Sequence, residues 1–99
     1  MNTSASEFSI PVATGVTITH SALSVDLSDG RTIIVPLSWY PRLEHATPAE
    51  REKWEFIGDG HGIHWPDIDE DISVQGLLAG KRSSESRASL QSWLDSRSA

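Results

Sequence analysis

The stretch from Val16 to Leu37 constrains the fold more than any other part of the chain. Val16 and Ile18, then Leu23, Val25 and Leu27, alternate with polar residues, and the parity slips near Ser21-Ala22. A period of two puts apolar side chains on one face of an extended segment and polar ones on the other. Val16 to Leu27 therefore reads as a strand, bulged near Ser21. Asp29-Gly30 follows at once, a pair that accepts the positive φ angles of a tight hairpin turn. The return strand is Arg31 to Leu37, with the β-branched run Ile33-Ile34-Val35. Pro36 removes a ladder donor, so this strand ends there or lies at an edge.

Further along, Ser38-Trp39-Tyr40-Pro41-Arg42-Leu43 is a bulky connector, and Pro41 restrains Tyr40 toward extended angles. Thr47-Pro48-Ala49-Glu50 combines a capping Thr, a Pro at the first helical position and a Glu that reaches back to the cap. This predicts a helix from Pro48 to about Phe56, with Arg51 and Glu55 paired one turn apart and Gly58-Asp59-Gly60 as the stop. Ile63 to Trp65 reads as a third strand. Ser73 caps a short helix, Val74 to Ala79, which Gly80 ends. Leu90, Trp93 and Leu94 have the spacing of a marginal amphipathic helix. The expected fold is α+β: a small antiparallel sheet, made of the N-terminal hairpin plus a third strand, packed with two or three short helices. Residues 1–13 read as a flexible tail, 14–80 as the domain, and 81–99 as a C-terminal tail or marginal helix.

With 99 residues there is room for one domain, and a deep cleft between lobes is not expected. Only 37% of residues are apolar, but four Trp supply large buried area per side chain, and Trp39, Trp54 and Trp65 are expected to carry much of the core. A net charge of −6, with eight Lys and Arg, disfavours direct nucleic-acid binding and suits a small, basic protein partner. The absence of cysteine excludes a disulfide scaffold, a thiolate zinc site and a cysteine nucleophile. Cytoplasm is the default compartment. The N-terminus has no signal-peptide pattern, and no run of apolar residues is long enough to span a membrane. A homodimer is left open.

The densest chemistry lies in His61-Gly62-Ile63-His64-Trp65-Pro66-Asp67-Ile68-Asp69-Glu70-Asp71-Ile72. In an extended segment His61 and His64 point to opposite faces, so one strand does not offer both to the same ion; the commoner role is a hydrogen bond to a carbonyl or carboxylate. Asp67, Asp69 and Asp71 share a face if extended, and Ile68 and Ile72 are buried whether the segment is strand or helix. The row does not fit an EF-hand, which needs a central Gly and a Glu at its twelfth position. Asp69 or Asp71 is expected to accept backbone bonds at the start of the last helix, the others facing solvent or an Arg of a partner. A triad of Ser38 or Ser73 with His64 and Asp67 has no nucleophile elbow to support it, and no phosphate-cradling loop is present. Trp39, Tyr40, Arg42 and Leu43 are interface-type residues, the alternative being rings that wrap the sheet edge. Glu55 to Asp71 holds six acidic residues and no Lys or Arg, whereas Lys81 to Arg97 carries four basic against two acidic, a polarity that would orient a charged partner.

The run Leu23 to Arg31, then Val35-Pro36-Leu37-Ser38-Trp39-Tyr40-Pro41-Arg42-Leu43, the Thr47-to-Trp54 helix, and His64-Trp65-Pro66 leading to Asp69–Val74 and Gly76-Leu77-Leu78 resembles the bacterial family catalogued as domain of unknown function 2442. The resemblance spans most of residues 14 to 80 and leaves both tails uncovered. It implies a small α+β domain without established enzymatic activity, often encoded beside a second small protein and sometimes joined to a helix-turn-helix, in an arrangement that resembles toxin–antitoxin pairs. The implied role is the antitoxin-like one. This chain shows no helix-turn-helix pattern of its own, so direct nucleic-acid binding by this chain alone is not expected.

The function expected from the sequence is a non-catalytic protein-binding module without cofactor, contacting its partner through Trp39, Tyr40, Arg42, His64, Asp67, Asp69 and Asp71. The alternative is a small-ligand or metal-dependent activity centred on His61, His64 and the carboxylates from Asp67 to Asp71.

Overall fold

The computed structural model describes residues 10–97. Its first sheet comprises β1 (Ala13–Ile18), β2 (Ala22–Leu27) and β3 (Thr32–Pro36), antiparallel and in that order. The single bulged strand expected over Val16–Leu27 is instead a hairpin of two strands. The parity slip at Ser21-Ala22 marks a turn: the Thr19 hydroxyl accepts the N–H groups of Ser21 and Ala22 at 3.3 and 3.0 Å, and the Thr19 N–H donates to the Ala22 carbonyl at 2.9 Å. A side chain thus closes the turn without an Asn-Gly signal. The second turn is the one the sequence predicts, with Gly30 at φ +96°. The sheet also begins earlier than the expected tail boundary. Val12 exchanges bonds with Ser28, its N–H donating to the hydroxyl at 3.0 Å and its carbonyl accepting the Ser28 N–H at 2.8 Å. The expected tail over residues 1–9 lies outside the described residues.

A second antiparallel sheet replaces the lone third strand: β4 (Glu55–Ile57), β5 (Gly62–Trp65) and β6 (Glu70–Ser73), in that order. Four short helices connect and flank the sheets: α1 (Pro41–His45), α2 (Pro48–Glu52), α3 (Val74–Leu78) and α4 (Arg87–Arg97). The capping box of α2 forms as predicted, the Thr47 hydroxyl accepting the Glu50 N–H at 3.1 Å and the Glu50 carboxylate accepting the Thr47 N–H at 2.8 Å. The helix ends at Glu52 rather than near Phe56, because Trp54 and Phe56 are placed on one side of an extended segment and Glu55 and Ile57 on the other. The expected Arg51–Glu55 pair is absent, and the Arg51 guanidinium donates to the Leu43 and Glu44 carbonyls at the end of α1. Gly60, at φ +96°, closes the β4–β5 connection against β1, where an added Cβ would lie 2.9 Å from the Ala13 carbonyl oxygen.

One core serves both sheets. Leu23, Val25, Leu27 and Val35 come from the first sheet; Ile63, Trp65 and Ile72 from the second; Leu37, Tyr40, Leu43, Ile68, Val74 and Leu77 from the connections and helices. Of the three tryptophans expected inside, only Trp65 is fully buried, and its indole N–H donates to the Arg51 carbonyl at 3.1 Å. Trp39 and Trp54 are half-buried at the margin of the core.

The C-terminal segment is built differently. No residue of α4 is buried. Ser86 caps the helix by accepting the Ser89 N–H at 3.0 Å. The helix is tethered by charge: Arg42 makes a forked contact with Glu85 at 2.7–3.0 Å, Arg97 does the same with Glu50, and the Trp93 ring lies between the two guanidinium groups, 5.1 Å from Arg42 and 4.5 Å from Arg97.

Two outcomes are expected. Trp65→Ala destabilises the fold by about 3–5 kcal/mol in chemical denaturation, the range for emptying a large aromatic site. The Arg97 guanidinium, with the Thr47 N–H, holds the Glu50 carboxyl down to about 2, below its ordinary 4.5. A lowered folded-state value gives stability that is present above the unfolded value and lost as pH falls through the folded one. The helicity lost in Arg97→Ala should therefore be full above pH 5 and shrink toward pH 2, read by circular dichroism across that range.

Candidate functional site

The outward face of the second sheet gathers the chemistry-bearing residues. Register pairs Glu55 with His64 and His64 with Asp71, so an acid, an imidazole and an acid stand in one row across β4, β5 and β6. Phe56, Ile63 and Ile72 form the adjacent row on the opposite, core-facing side, where Ile63 and Ile72 are buried. Alternation along the strands is what separates the two rows. Next to the acidic row, Ile57 lies over Gly62, whose missing Cβ leaves the room: an added one would meet the Ile57 side chain at 2.9 Å.

His64 presents Nδ1 to a carboxylate oxygen of Asp71. That hydrogen bond raises the imidazole above its ordinary 6.5; partial burial opposes the shift, and the charges of Asp71, Glu55 and Asp69 add to it. Asp71 itself remains largely in solvent. The β5–β6 turn buries Ile68 and turns Asp67 and Asp69 outward, with Asp69 at φ +53°, a left-handed conformation that Asp tolerates better than most residues. Asp67 accepts a long ion pair from Lys53 at 3.5 Å, both groups exposed. The expected backbone bonds to Asp69 or Asp71 at the entry to α3 are not formed, whereas the expected Ser73 cap is. Ser73 is the cap of α3, its hydroxyl accepting the Gly76 N–H at 2.9 Å, and Asp71 is turned to His64 instead.

His61 precedes β5, exposed, with its N–H bonded to the Gly58 carbonyl and its own carbonyl accepting the Val74 N–H. Among the described residues, no three His, Asp or Glu side chains gather so as to hold a metal ion. The Ser73 hydroxyl is engaged in its cap. Among the described residues His64 has carboxylates on both flanks, and its hydrogen bond goes to Asp71 rather than to a hydroxyl.

The connector residues proposed as contacts are committed to the fold. Tyr40 is buried with its hydroxyl donating to the Lys81 carbonyl at 3.0 Å, and Arg42 is shared between Glu85 and the Ile68 carbonyl, the latter at 2.9 Å. Trp39 is half-buried, its carbonyl accepting the Ser83 N–H and its ring covered by the Arg82 guanidinium at 4.8 Å. Residues 81–85 thus lie across Trp39, Tyr40 and Arg42. Beneath this strap, burial pushes the Glu70 carboxyl above its ordinary value, with Glu85 adding to the shift and Arg42 opposing it. A polar cavity of about 200 Å³ opens beside it, lined by Tyr40, Glu70, Asp71, Lys81, Arg82 and others.

The sequence reading missed Glu55, assigning it to a helix. The signal that would have found it is the alternation Trp54-Glu55-Phe56-Ile57 directly after Lys53, a strand pattern that the strong helix start upstream masked.

The model of the family described as "Protein of unknown function (DUF2442)" matches residues 13–83. A crystal structure of a protein of unknown function from Rhodospirillum rubrum is similar at 30% identity, covering 81% of this chain and 96% of that one, with a TM-score of 0.64. An uncharacterised protein from Chromobacterium violaceum, solved by NMR in solution, is 25% identical over 80% of this chain and 72% of that one, with a TM-score of 0.65. No curated protein matches the chain.

The His64–Asp71 pair yields a pH prediction. A raised folded-state value contributes stability that is full below the unfolded 6.5 and lost as pH rises through the folded value. Asp71→Asn should lower the midpoint of the His64 ring titration, followed by NMR, and should reduce the melting temperature below pH 6 with no difference in alkaline buffer. An unchanged His64 midpoint would show that the contact does not persist in solution.

Proposed function

This chain belongs to the DUF2442 family, and from that footing we propose that it is a non-catalytic protein-binding module, the antitoxin-like or regulatory member of a two-gene pair, acting in the cytoplasm on a small, basic partner. The observation that carries this reading is the outward face of β4–β6 with its connecting turn. Glu55, Asp67, Asp69 and Asp71 stand there beside Lys53 and the His64 imidazole, each of which already faces a carboxylate. A flat face of one sign attracts an oppositely charged surface at long range and discriminates against like-charged ones. Ile57, exposed beside the row, offers apolar area that such a contact would cover. Catalysis is not favoured. The imidazole lies between acids rather than beside a nucleophile, and the cavity beside Glu70 is small and polar.

Purification from native extract should recover one small basic protein at low salt and lose it at high salt. The double variant Asp69→Ala, Asp71→Ala should weaken that complex by about tenfold, the scale of two rim charges, while the fold remains intact. Retention that salt and both substitutions leave unchanged would overturn the reading. Dialysis against a chelator should leave the melting temperature unaltered; a drop reversed by added metal would favour an ion-dependent role, because a bound ion is linked to folding.

A further inference from the structure

The first sheet leaves a second opening, away from the acidic face. Among the described residues β1 is an edge strand, paired only with β2. Thr19 bonds Ala22 across the first turn and Val16 and Ile18 register with Val25 and Leu23. Antiparallel alternation then turns the backbone N–H and C=O of Val16 and Ile18 away from β2, toward the open side. Their side chains, half-buried, lie on the core face. Against that edge is a slot of about 470 Å³, lined by Val16, Ile18, His20, Pro48, Glu52 and Trp54 among others. The Trp54 ring also meets Phe56 in a tilted contact, centroids 5.0 Å apart, and Phe56 is exposed at the edge of β4.

Protein edges are ordinarily blunted by charge, proline or a bulge along their length. β3 carries Pro36 and β4 has three residues. β1 is different: its six residues hold no charge and no proline, and its irregularity is confined to Ala13–Gly15. Among the described residues the result is a free ladder edge beside a trough whose apolar wall is made by Val16, Ile18, Pro48 and Trp54.

The geometry points to this slot as the place where an extended segment of the partner adds a strand to β1, with apolar side chains alternately entering the trough and basic ones outside it. This rests on the binding-module reading and deepens it by naming the partner's segment. Main-chain bonds from Val16 and Ile18 supply the ladder, and the trough between Trp54, Val16 and Ile18 takes alternate side chains. Charge selects the occupant. Arg51 and Glu52 both line the slot and offset each other in charge, the Arg51 guanidinium being held by the neutral Leu43 and Glu44 carbonyls. The surplus left to act on an arriving segment is that of the whole chain, whose net charge is −6. An apolar strand bearing Lys or Arg is therefore favoured over an acidic one or over a second copy of this chain.

The test uses the full chain, isotope-labelled, and a short synthetic peptide alternating valine and lysine. Amide exchange at Val16 and Ile18 should slow by about tenfold or more when the peptide is saturating, as a ladder bond forms on each. The same peptide N-methylated on the amides that would face β1 should give no protection, and neither should one alternating valine and glutamate. Ile18→Lys should abolish the effect; because that substitution can disturb folding, the N-methylated peptide serves as the control that leaves the protein untouched. Shifts confined to the His64–Asp71 face, without protection at Val16 and Ile18, would overturn the slot while leaving the acidic-face reading standing. Equal protection by the N-methylated peptide would also overturn it. No response anywhere would overturn the slot, and loss of the salt-sensitive native complex would separately remove the reading beneath it.

Discussion

Trp65 has no exposed surface, and its indole N–H reaches the Arg51 carbonyl. It stands on the central strand of the second sheet, so it joins that sheet to α2, while the ring itself fills the space between layers. Neither three-stranded sheet would be expected to stand alone, since each has one apolar face to cover and the chain has no disulfide to hold it. The bond to Arg51 also occupies a carbonyl in the last turn of α2 that the helix leaves unpaired. From there Arg51 extends its guanidinium to the Leu43 and Glu44 carbonyls, ending α1. One buried ring and one long cation thereby fix two helices that are each only five residues long.

The C-terminal segment follows another rule. Its links to the rest of the chain are a strap over Trp39 and Tyr40 and then the alternating series Glu85, Arg42, Trp93, Arg97 and Glu50. Two of these residues, Arg42 and Glu50, lie inside the stretch that matches the family, and Glu85, Trp93 and Arg97 lie beyond it. Isolated surface ion pairs contribute little, but these are forked, largely screened from solvent and sandwiched on an aromatic face. Of the basic residues near the C-terminus, Arg97 is bound to Glu50 and Arg82 lies over the Trp39 ring, while the connector beneath residues 81–85 keeps Tyr40 buried rather than presenting it.

What remains on the outside is more limited and more specific. An acidic sheet face and an uncharged sheet edge are presented by separate sheets, the first organised by alternation across β4–β6 and the second by the termination of pairing at β1. Both are properties of strands, whose backbone and side chains address perpendicular directions. A module of this size can thus offer a charged surface and a ladder edge without a cleft.

Several features were legible in the residues alone. The Asp29-Gly30 turn, the Thr47 capping box, the Ser73 cap and the inward pair Ile68 and Ile72 depend on neighbours within a few positions, and local stereochemistry determines them. The rest was not. A parity slip looks the same whether it is a bulge or a turn, and only Thr19 folding back on Ser21 and Ala22 distinguishes them. The helix start at Pro48 says nothing about its end, which is set when Trp54 and Phe56 find a sheet to join. His64 was visible as a candidate, but its partner Asp71 is seven residues away and its neighbour Glu55 nine, brought together by strand register. The sequence by itself determined the α+β class, the turns and caps, and which residues are apolar enough to go inside. Only the tertiary structure decided that there are two sheets, that Arg42 and Tyr40 face inward, and which acids meet the imidazole, because those outcomes depend on contacts between segments whose separation along the chain carries no local signal.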